Sequence, residues 1–169
     1  NICRSPMAEF VLKDMAARRG LASKFYIASA ATSAEEIGNP VHRGTREKLR
    51  ACGISTAGKY AVQMKRQDYE DYDYLLGMEE RNLSNMRRIA GGDPDGKMYR
   101  LLDFSPNPRD IADPWYTGNF DVTYEDVVEG CRDFLQHVMK WSARRHRFLR
   151  KFAKNSFPFR PKRDIISLL

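Results

Sequence analysis

The chain has 169 residues and three cysteines far apart in the sequence, which favours one domain of a reduced cytosolic protein over a disulfide-linked scaffold. Its net charge of +7 is uneven, because residues 1–139 carry 19 Lys and Arg against 21 Asp and Glu, whereas residues 140–169 carry 10 against one. Because the basic residues belong to the tail, the charge of the domain gives no argument for a nucleic-acid partner. No apolar run is long enough to cross a bilayer. The charge pattern predicts a domain at 1–139 followed by a basic C-terminal extension at 140–169.

The first predicted element is a helix that follows a short polar turn. Ser5 is a suitable N-cap and Pro6 suits the first helical position, where its missing N–H is not needed. The apolar residues that recur at helical spacing and bury one face are Met7, Phe10, Val11 and Met15. The free N–H groups of a helix start attract anions, and Arg4 adds a planar fork of donors. The stretch therefore predicts an oxyanion cradle.

Strands and helices alternate along the rest of the domain. Strands are predicted at 24–31, 72–78 and 98–102, and helices at 41–52, at 79–89 and from Thr123 onward. This alternation predicts an α/β fold with a parallel sheet covered on both faces. Two loops, 32–40 and the longer 103–119, follow strands. Ligands of such sheets bind beyond the carboxyl ends of the strands, so we expect the opening turn and the long loop to converge there.

The opening residues also resemble a known signature. They are Asn1-Ile2-Cys3-Arg4-Ser5-Pro6-Met7-Ala8-Glu9. This string resembles the second half of the phosphate loop of the low-molecular-weight protein tyrosine phosphatases, whose full signature is Cys-x-Gly-Asn-x-Cys-Arg-Ser. Because the chain begins at the Asn, the resemblance implies that the nucleophilic cysteine would lie three residues before Asn1 and is absent here. Cys3 is the other cysteine of the loop, and we expect the chain as written to be inactive.

The resemblance implies a role for each remaining loop residue. Arg4 would clamp the phosphate and stabilise its charge in the transition state, whereas Asn1, Ile2 and Cys3 would help to wrap the phosphate. Asn1 would brace the loop, and Ser5 would hydrogen-bond the sulfur of the nucleophile. The expected reaction is hydrolysis of phosphotyrosine through a phosphocysteine intermediate, with a phosphotyrosine protein or a small phosphate ester as substrate. No metal or other cofactor is implied.

A second patch, around Asp113, matches the same family. Asp-Pro is by itself an ordinary turn dipeptide. A phenol with a pKa of about 10 leaves poorly unless its oxygen receives a proton, and a carboxylic acid beside aromatic walls can supply one. Asp113 resembles the general acid of the family, and Trp115 and Tyr116 resemble its aromatic pocket wall. Glu35 stands where the variable pocket loop often carries an aromatic residue, which leaves phosphotyrosine preference less secure than phosphatase chemistry.

Other functions remain open at this point. A protein-arginine phosphatase of the same fold is one alternative, although such enzymes favour Thr where this chain has Ile2. A phosphate-binding or phosphotyrosine-binding module without turnover is another. Related arsenate reductases need an additional cysteine pair in the middle of the chain, which is absent. Three histidines, His42, His137 and His146, are scattered and are interpreted as ordinary surface or helix residues.

The resemblance implies a three-layer sandwich whose first, central strand is missing from this chain. Without that strand, residues 24–31 and 72–78 would face a gap with unpaired backbone groups. The favoured interpretation is a fragment with this gap; the alternative is that the apolar run 165–169 fills it. In the extension, Trp141, Phe148, Leu149 and Phe152 alternate with arginines and lysines. That pattern is typical of a solvated helix or of weak contact with an anionic membrane.

Overall fold

The computed structural model describes residues 2–152 and 164–169, with the backbone alone at 142–152, 164 and 165. Its helices are α1 (Arg4–Arg18), α2 (Arg43–Ala51), α3 (Asp68–Asp71), α4 (Glu80–Ala90), α5 (Pro114–Thr117) and α6 (Phe120–Phe152). Its strands are β1 (Phe25–Ser29), β2 (Tyr74–Gly77), β3 (Met98–Arg100) and β4 (Asp164–Leu168). The predicted alternation is confirmed. The short helix α5 lies in the segment 103–119 that was predicted as a loop, and α3 lies in a segment for which no element was predicted.

The four strands form one parallel sheet in the order β1-β4-β2-β3. The C-terminal strand β4 therefore lies between β1 and β2, with Ile166 opposite both Ile27 and Tyr74. The favoured expectation of an open gap is wrong, and the alternative that residues 165–169 fill it is confirmed. The physical reason is that the backbone groups of β1 and β2 pair with those of β4. The sheet thus includes residues 164–168, beyond the expected boundary at 139.

The sheet is covered on both faces, as an α/β sandwich requires. On one face, α1 and α6 pack over apolar side chains of β1, β2 and β4, with Phe134, Ile166 and Leu168 fully buried. On the other face, α3 and α4 pack over a smaller cluster that contains Leu75, on β2, and Leu169. Successive residues of a strand point to opposite faces. This alternation is why the two neighbouring leucines at the end of β4 enter different cores.

The start of α1 differs from the prediction. The helix begins at Arg4, because the N–H of Met7 donates to the carbonyl of Cys3 at 3.2 Å, and Cys3 rather than Ser5 is the N-cap. The prediction that Ser5 caps the helix is wrong, since Ser5 lies buried in the first turn. The Cys3 side chain makes no capping hydrogen bond. The first N–H groups of α1 are therefore left without a partner inside the helix.

The last helix, α6, continues from the domain into the basic extension. Among the residues that the structure describes, no helix is long and apolar enough to cross a membrane. The predicted amphipathic pattern depends on side chains from Phe148 to Phe152, which lie outside the described side chains. Of that pattern, the structure describes only Trp141, which is exposed.

Candidate active site

A cleft of about 460 Å³ opens at the carboxyl ends of the strands. Residues at or just beyond the ends of three strands reach it, namely Ala31 after β1, Met78 after β2 and Leu169 after β4. The predicted site residues that line the same cleft are Ile2, Cys3, Arg4, Ser5, Glu35, Asp113, Trp115 and Tyr116. Asn1, the remaining predicted residue, lies outside the described residues. The opening turn and the long loop therefore converge, although about a hundred residues separate them.

Arg4 lines this cleft, with its side chain only 9% exposed. Its Nη1 donates to the carbonyl oxygen of Ile111 at 2.7 Å. Its Nη2 lies 3.0 Å from Oε1 of Glu79 and 3.2 Å from Oδ2 of Asp113. These contacts fix the plane of the guanidinium at the start of α1. They also place a carboxyl group within hydrogen-bonding distance of the donors that would hold an oxyanion.

Asp113 is held in this position by the first turn of α5. Its Oδ1 accepts a hydrogen bond from the N–H of Trp115 at 3.0 Å, which makes Asp113 the N-cap of that helix. Its other oxygen, Oδ2, faces Arg4. Ile111, two residues before Asp113, is buried, and its N–H donates to the carbonyl of Met78 at 2.8 Å. The carboxyl group is therefore positioned from both sides rather than carried on a free loop.

An ion-pair network anchors the same loop to α6. Nη2 of Arg109 lies 2.6 Å from Asp126 and 2.7 Å from Glu129, and the hydroxyl of Ser105 donates to Glu129. Hydrogen bonds from Arg109 and Ser105 lower the pKa of Glu129 to about 2. Arg109 also donates to the carbonyl of Asn107. The segment that leads to Asp113 is thus tied to the helix behind it.

Because the pKa of Glu129 is depressed on folding, its contribution to stability is present above its unfolded pKa and disappears as the pH falls towards 2. We expect Glu129→Gln to lower the free energy of unfolding by about 1–2 kcal/mol at pH 7, slightly less than is usual for hydrogen bonds to charged groups because the side chain is partly exposed. The difference between variant and parent should shrink between pH 5 and pH 2. Urea unfolding at several pH values measures it.

Glu125→Gln is the matched control, since Glu125 lies on the same helix but is exposed. This substitution should change the free energy of unfolding by less than about 0.5 kcal/mol at any of these pH values. An equal cost for the two variants, or a Glu129→Gln cost that does not change between pH 7 and pH 2, would contradict the role assigned to the network.

The thiol of Cys3 is unsuited to nucleophilic attack. Burial, with a smaller effect from the Asp113 carboxylate, raises its pKa to about 12. A thiol with that pKa stays protonated near neutral pH, whereas the thiolate is the reactive form. The loop is instead held by backbone contacts: Thr45 donates its hydroxyl to the carbonyl of Cys3 at 3.3 Å, and the N–H of His42 donates to that of Ile2 at 2.8 Å. Cys3 is therefore a structural residue of the cradle.

Aromatic rings form the outer wall of the cleft. Trp115 is 56% exposed and Tyr116 is 78% exposed, so both present ring surface to an incoming group. The ring of His42 contacts the edge of Trp115, with centroids 5.6 Å apart, and stacks on Phe120 at 5.3 Å. Its Nδ1 accepts a hydrogen bond from Gly44, which caps α2. His42, predicted to be an ordinary surface or helix residue, thus supports the aromatic wall.

Glu79 is the site residue that sequence reasoning missed most clearly. It is the N-cap of α4, and the side chain of Asn82 reaches back to accept from the N–H groups of Met78 and Glu79 at 3.0 and 3.1 Å. This capping box fixes the carboxylate that holds Arg4. The signal that could have found it is the Glu79-x-x-Asn82 spacing directly after a buried strand.

A buried carboxylate supports the far side of the cradle. Glu9, on α1, lies 2.6 Å from Lys13 and 2.7 Å from Lys59, and it accepts from the hydroxyl of Ser29 at 2.6 Å. Burial opposes ionisation, but these hydrogen bonds hold the pKa of Glu9 below its ordinary value. Lys59 also donates to the carbonyl of Ser29. The network joins α1, the end of β1 and the loop that follows α2.

Comparison with known proteins gives a consistent result. The family model described as low molecular weight phosphotyrosine protein phosphatase matches residues 1–144. The low molecular weight protein-tyrosine-phosphatase YfkJ of Bacillus subtilis is 42% identical over 142 residues, which cover 83% of this chain and 91% of that protein.

Solved structures agree with the sequence matches. The crystal structure of YfkJ superposes with a TM-score of 0.80 over 83% of this chain and 89% of that chain. A low molecular weight protein tyrosine phosphatase from Streptococcus pyogenes gives a TM-score of 0.72 at 37% identity, over 81% and 86% of the two chains. A structure described as drosophila arginine phosphatase gives 0.75 at 28% identity, over 82% and 92%.

Proposed function

The chain belongs to the low-molecular-weight protein tyrosine phosphatase family, a group of phosphoric monoester hydrolases, and on that premise we propose that its cleft binds the phosphate of phosphotyrosine. The observation that carries the proposal is the 3.2 Å contact between Arg4 and Asp113 inside one cleft. A guanidinium beside the free N–H groups of a helix start suits a dianion. A carboxyl group directly above it suits proton transfer to the departing oxygen.

The proposed reaction has two steps. A cysteine thiolate attacks phosphorus, the S–P bond forms, the bond to the tyrosine oxygen breaks, and Asp113 gives that oxygen its proton. Asp113 then accepts a proton from water, whose oxygen attacks phosphorus while the S–P bond breaks and phosphate leaves. Arg4 and the first amides of α1 hold the equatorial oxygens in both steps. Glu79 keeps the guanidinium in the plane that this requires.

The attacking thiolate is not supplied by Cys3. The family signature places it three residues before Asn1, and the raised pKa of Cys3 supports the same assignment. We therefore propose that a protein consisting of residues 1–169 binds phosphate without hydrolysing phosphate esters. The remaining thiols are poor candidates, since burial also raises the pKa of Cys131, and Cys52 does not line the cleft.

Two measurements on a protein of residues 1–169 test this proposal. Isothermal titration calorimetry with orthophosphate should give saturable binding with one site, and an aryl phosphate assay should give no turnover above buffer. Absence of phosphate binding would refute the proposed site. Turnover by this protein would refute the assignment of the nucleophile and the expectation of inactivity.

Phosphoarginine is the second candidate substrate. It is supported by the structural similarity to the protein described as drosophila arginine phosphatase and by the exposed carboxylate of Glu35 at the mouth of the cleft, which could pair with a guanidinium. The aromatic rings of Trp115 and Tyr116 favour the phenyl ring of phosphotyrosine instead. Ile2 also lines the cleft, at the position where arginine phosphatases favour the hydroxyl-bearing Thr. Competition of phosphotyrosine and phosphoarginine for the same cleft discriminates them, and we propose that phosphotyrosine binds more tightly.

The basic extension suggests one further partner, and we propose weak contact with an anionic membrane. The support is its composition, with ten Lys and Arg against one acidic residue between 140 and 169. Since β4 belongs to the sheet, deletion of the extension would confound the test. Replacement of Arg144, Arg145 and Arg147 by glutamine avoids this problem, and co-sedimentation with anionic vesicles that is unchanged by it would refute the contact.

A further inference from the structure

We propose that the slot between β1 and β2 is a strand-binding site whose occupant is the C-terminal segment 164–169, and that docking of this segment completes the phosphate cleft. The inference rests on the proposed function in one respect, namely that phosphate is the ligand used to probe the cleft. It assigns to residues 164–169 a role in building the site that holds Arg4 and the first amides of α1.

The hydrogen bonds of β4 extend up to the cleft. Its residues pair in parallel register with β1 on one side and with β2 on the other. Beyond these ladders, the N–H of Ala30 donates to the carbonyl of Leu168 at 3.0 Å, and the N–H of Leu169 donates to the carbonyl of Leu76 at 2.7 Å. Leu169 then lines the cleft together with Ile2, Cys3 and Ser5. The floor of the cleft is therefore made by residues from both ends of the sequence.

β4 also supports the helix that presents the cradle. Ile166 and Leu168 are fully buried and belong to the same apolar cluster as Met7 and Ala8, in the first two turns of α1. With β4 undocked, this side of α1 would lose the apolar surface behind it, and the first amides of the helix would lose that support. Phosphate affinity should consequently depend on a segment whose one residue at the cleft, Leu169, has an uncharged side chain.

The slot has the properties of a binding site for one extended segment. Among the described residues, β1 and β2 do not pair with each other, so each would expose a row of N–H and C=O groups without β4. The occupant must be parallel to both neighbours, and its side chains must be apolar or small on both faces. Ile166 and Leu168 enter the larger core, whereas Ser167 is buried on the other face and Leu169 joins the smaller core. Because β4 begins 87 residues after the end of β2, the nearer in sequence of the two strands that it pairs with, its docking closes a long stretch of chain.

Hydrogen exchange on the unsubstituted chain gives the first test. If β4 is docked, the amides of 165–169 should exchange within tenfold of the rates of β1 and β2, and saturating orthophosphate should slow all three together. Amides of 165–169 that exchange at the rate of an unstructured peptide while phosphate is bound would overturn the proposal. A chain that binds no phosphate but protects β4 would contradict the proposed function instead, and with it the link to the cleft.

A matched pair of variants gives the second test. Ser167→Pro removes one N–H from the middle of β4, where a central strand cannot tolerate the loss, whereas Ser167→Ala keeps the backbone. We expect Ser167→Pro to weaken orthophosphate binding at least tenfold relative to Ser167→Ala, and a synthetic peptide of residues 164–169 to restore it. Equal phosphate affinity of the two variants would overturn the proposal.

Circular dichroism shows whether the proline variant folds. A Ser167→Pro chain that gains structure and phosphate binding when the peptide is added supports the slot directly. If this chain stays unfolded with and without the peptide, the exchange rates of the unsubstituted chain decide the question alone.

Discussion

Replacement of Arg4 by lysine is expected to weaken orthophosphate binding by about 100-fold, the largest loss that any single substitution in the cleft should produce. A guanidinium presents two parallel N–H groups to two oxygens, whereas an ammonium offers a point charge. Loss of one or two charge-assisted hydrogen bonds corresponds to about 3 kcal/mol, or about 100-fold in affinity. Titration calorimetry near neutral pH measures the change.

Arg81→Lys provides the matched control for this substitution. Arg81 also lines the cleft and contacts Glu79 at 3.2 Å, but its side chain is mostly exposed. We expect less than a threefold change in phosphate affinity, because exposed ion pairs contribute little. Thermal unfolding must accompany both measurements, since Arg4 also satisfies the carbonyl of Ile111 and the carboxylate of Glu79. If both variants fold and lose phosphate affinity to a comparable extent, the assignment of Arg4 as the main phosphate-binding residue is wrong.

Asp113→Asn is expected to have the second large effect, and to change binding and turnover in opposite directions. In the chain of residues 1–169, the neutral amide no longer competes with an anion for Arg4, from which Asp113 lies 3.2 Å away. Orthophosphate should therefore bind several-fold more tightly. In a version that carries the nucleophile, the same substitution should lower kcat by about 100- to 10,000-fold, because the proton donor is lost.

The version that carries the nucleophile needs the slot between β1 and β2 for its own added strand. A strand followed by Cys-Xaa-Gly before Asn1 would compete with β4 for the place between β1 and β2, so residues 140–169 are removed from it. The loss in kcat should be larger for phenyl phosphate than for an ester of a strongly acidic phenol, which leaves without protonation. Asp110→Asn, an exposed acidic residue of the same loop paired with Arg100, should leave both rates nearly unchanged. Equal losses for both esters would contradict the role of Asp113 as general acid.

Some residues of the site were predicted from the sequence and others were missed, depending on whether they belong to a recognisable local motif. Arg4 and Asp113 were found because each belongs to a short motif whose chemistry is specific. Glu79 was missed because its role depends on a capping box and on the approach of Arg4, 75 residues away. His42 was missed because a lone histidine gives no sign that Phe120 will stack on its ring and that Trp115 will meet it edge to face.

The prediction for Ser5 shows a limit of local reasoning. A serine before a proline is a favourable N-cap by propensity, but the helix starts at Arg4 because the carbonyl of Cys3 can accept from Met7 once the loop is held by Thr45 and by the backbone of His42. Contacts distant in sequence shifted the helix start and buried the hydroxyl. Capping preferences of about 1 kcal/mol are easily outweighed by such contacts.

The sequence by itself determined the α/β alternation, the family and the two motifs of the cleft, because periodicity and motif are properties of neighbouring residues. Only the tertiary structure decided the order of the strands and the place of residues 164–168 in the middle of the sheet. A five-residue apolar run has no periodicity that specifies its partner, and parallel pairing is decided by backbone groups that lie far apart in the chain. Residues 164–168 lie there because their backbone groups pair with those of β1 and β2, and this position brings Leu169 to the cleft.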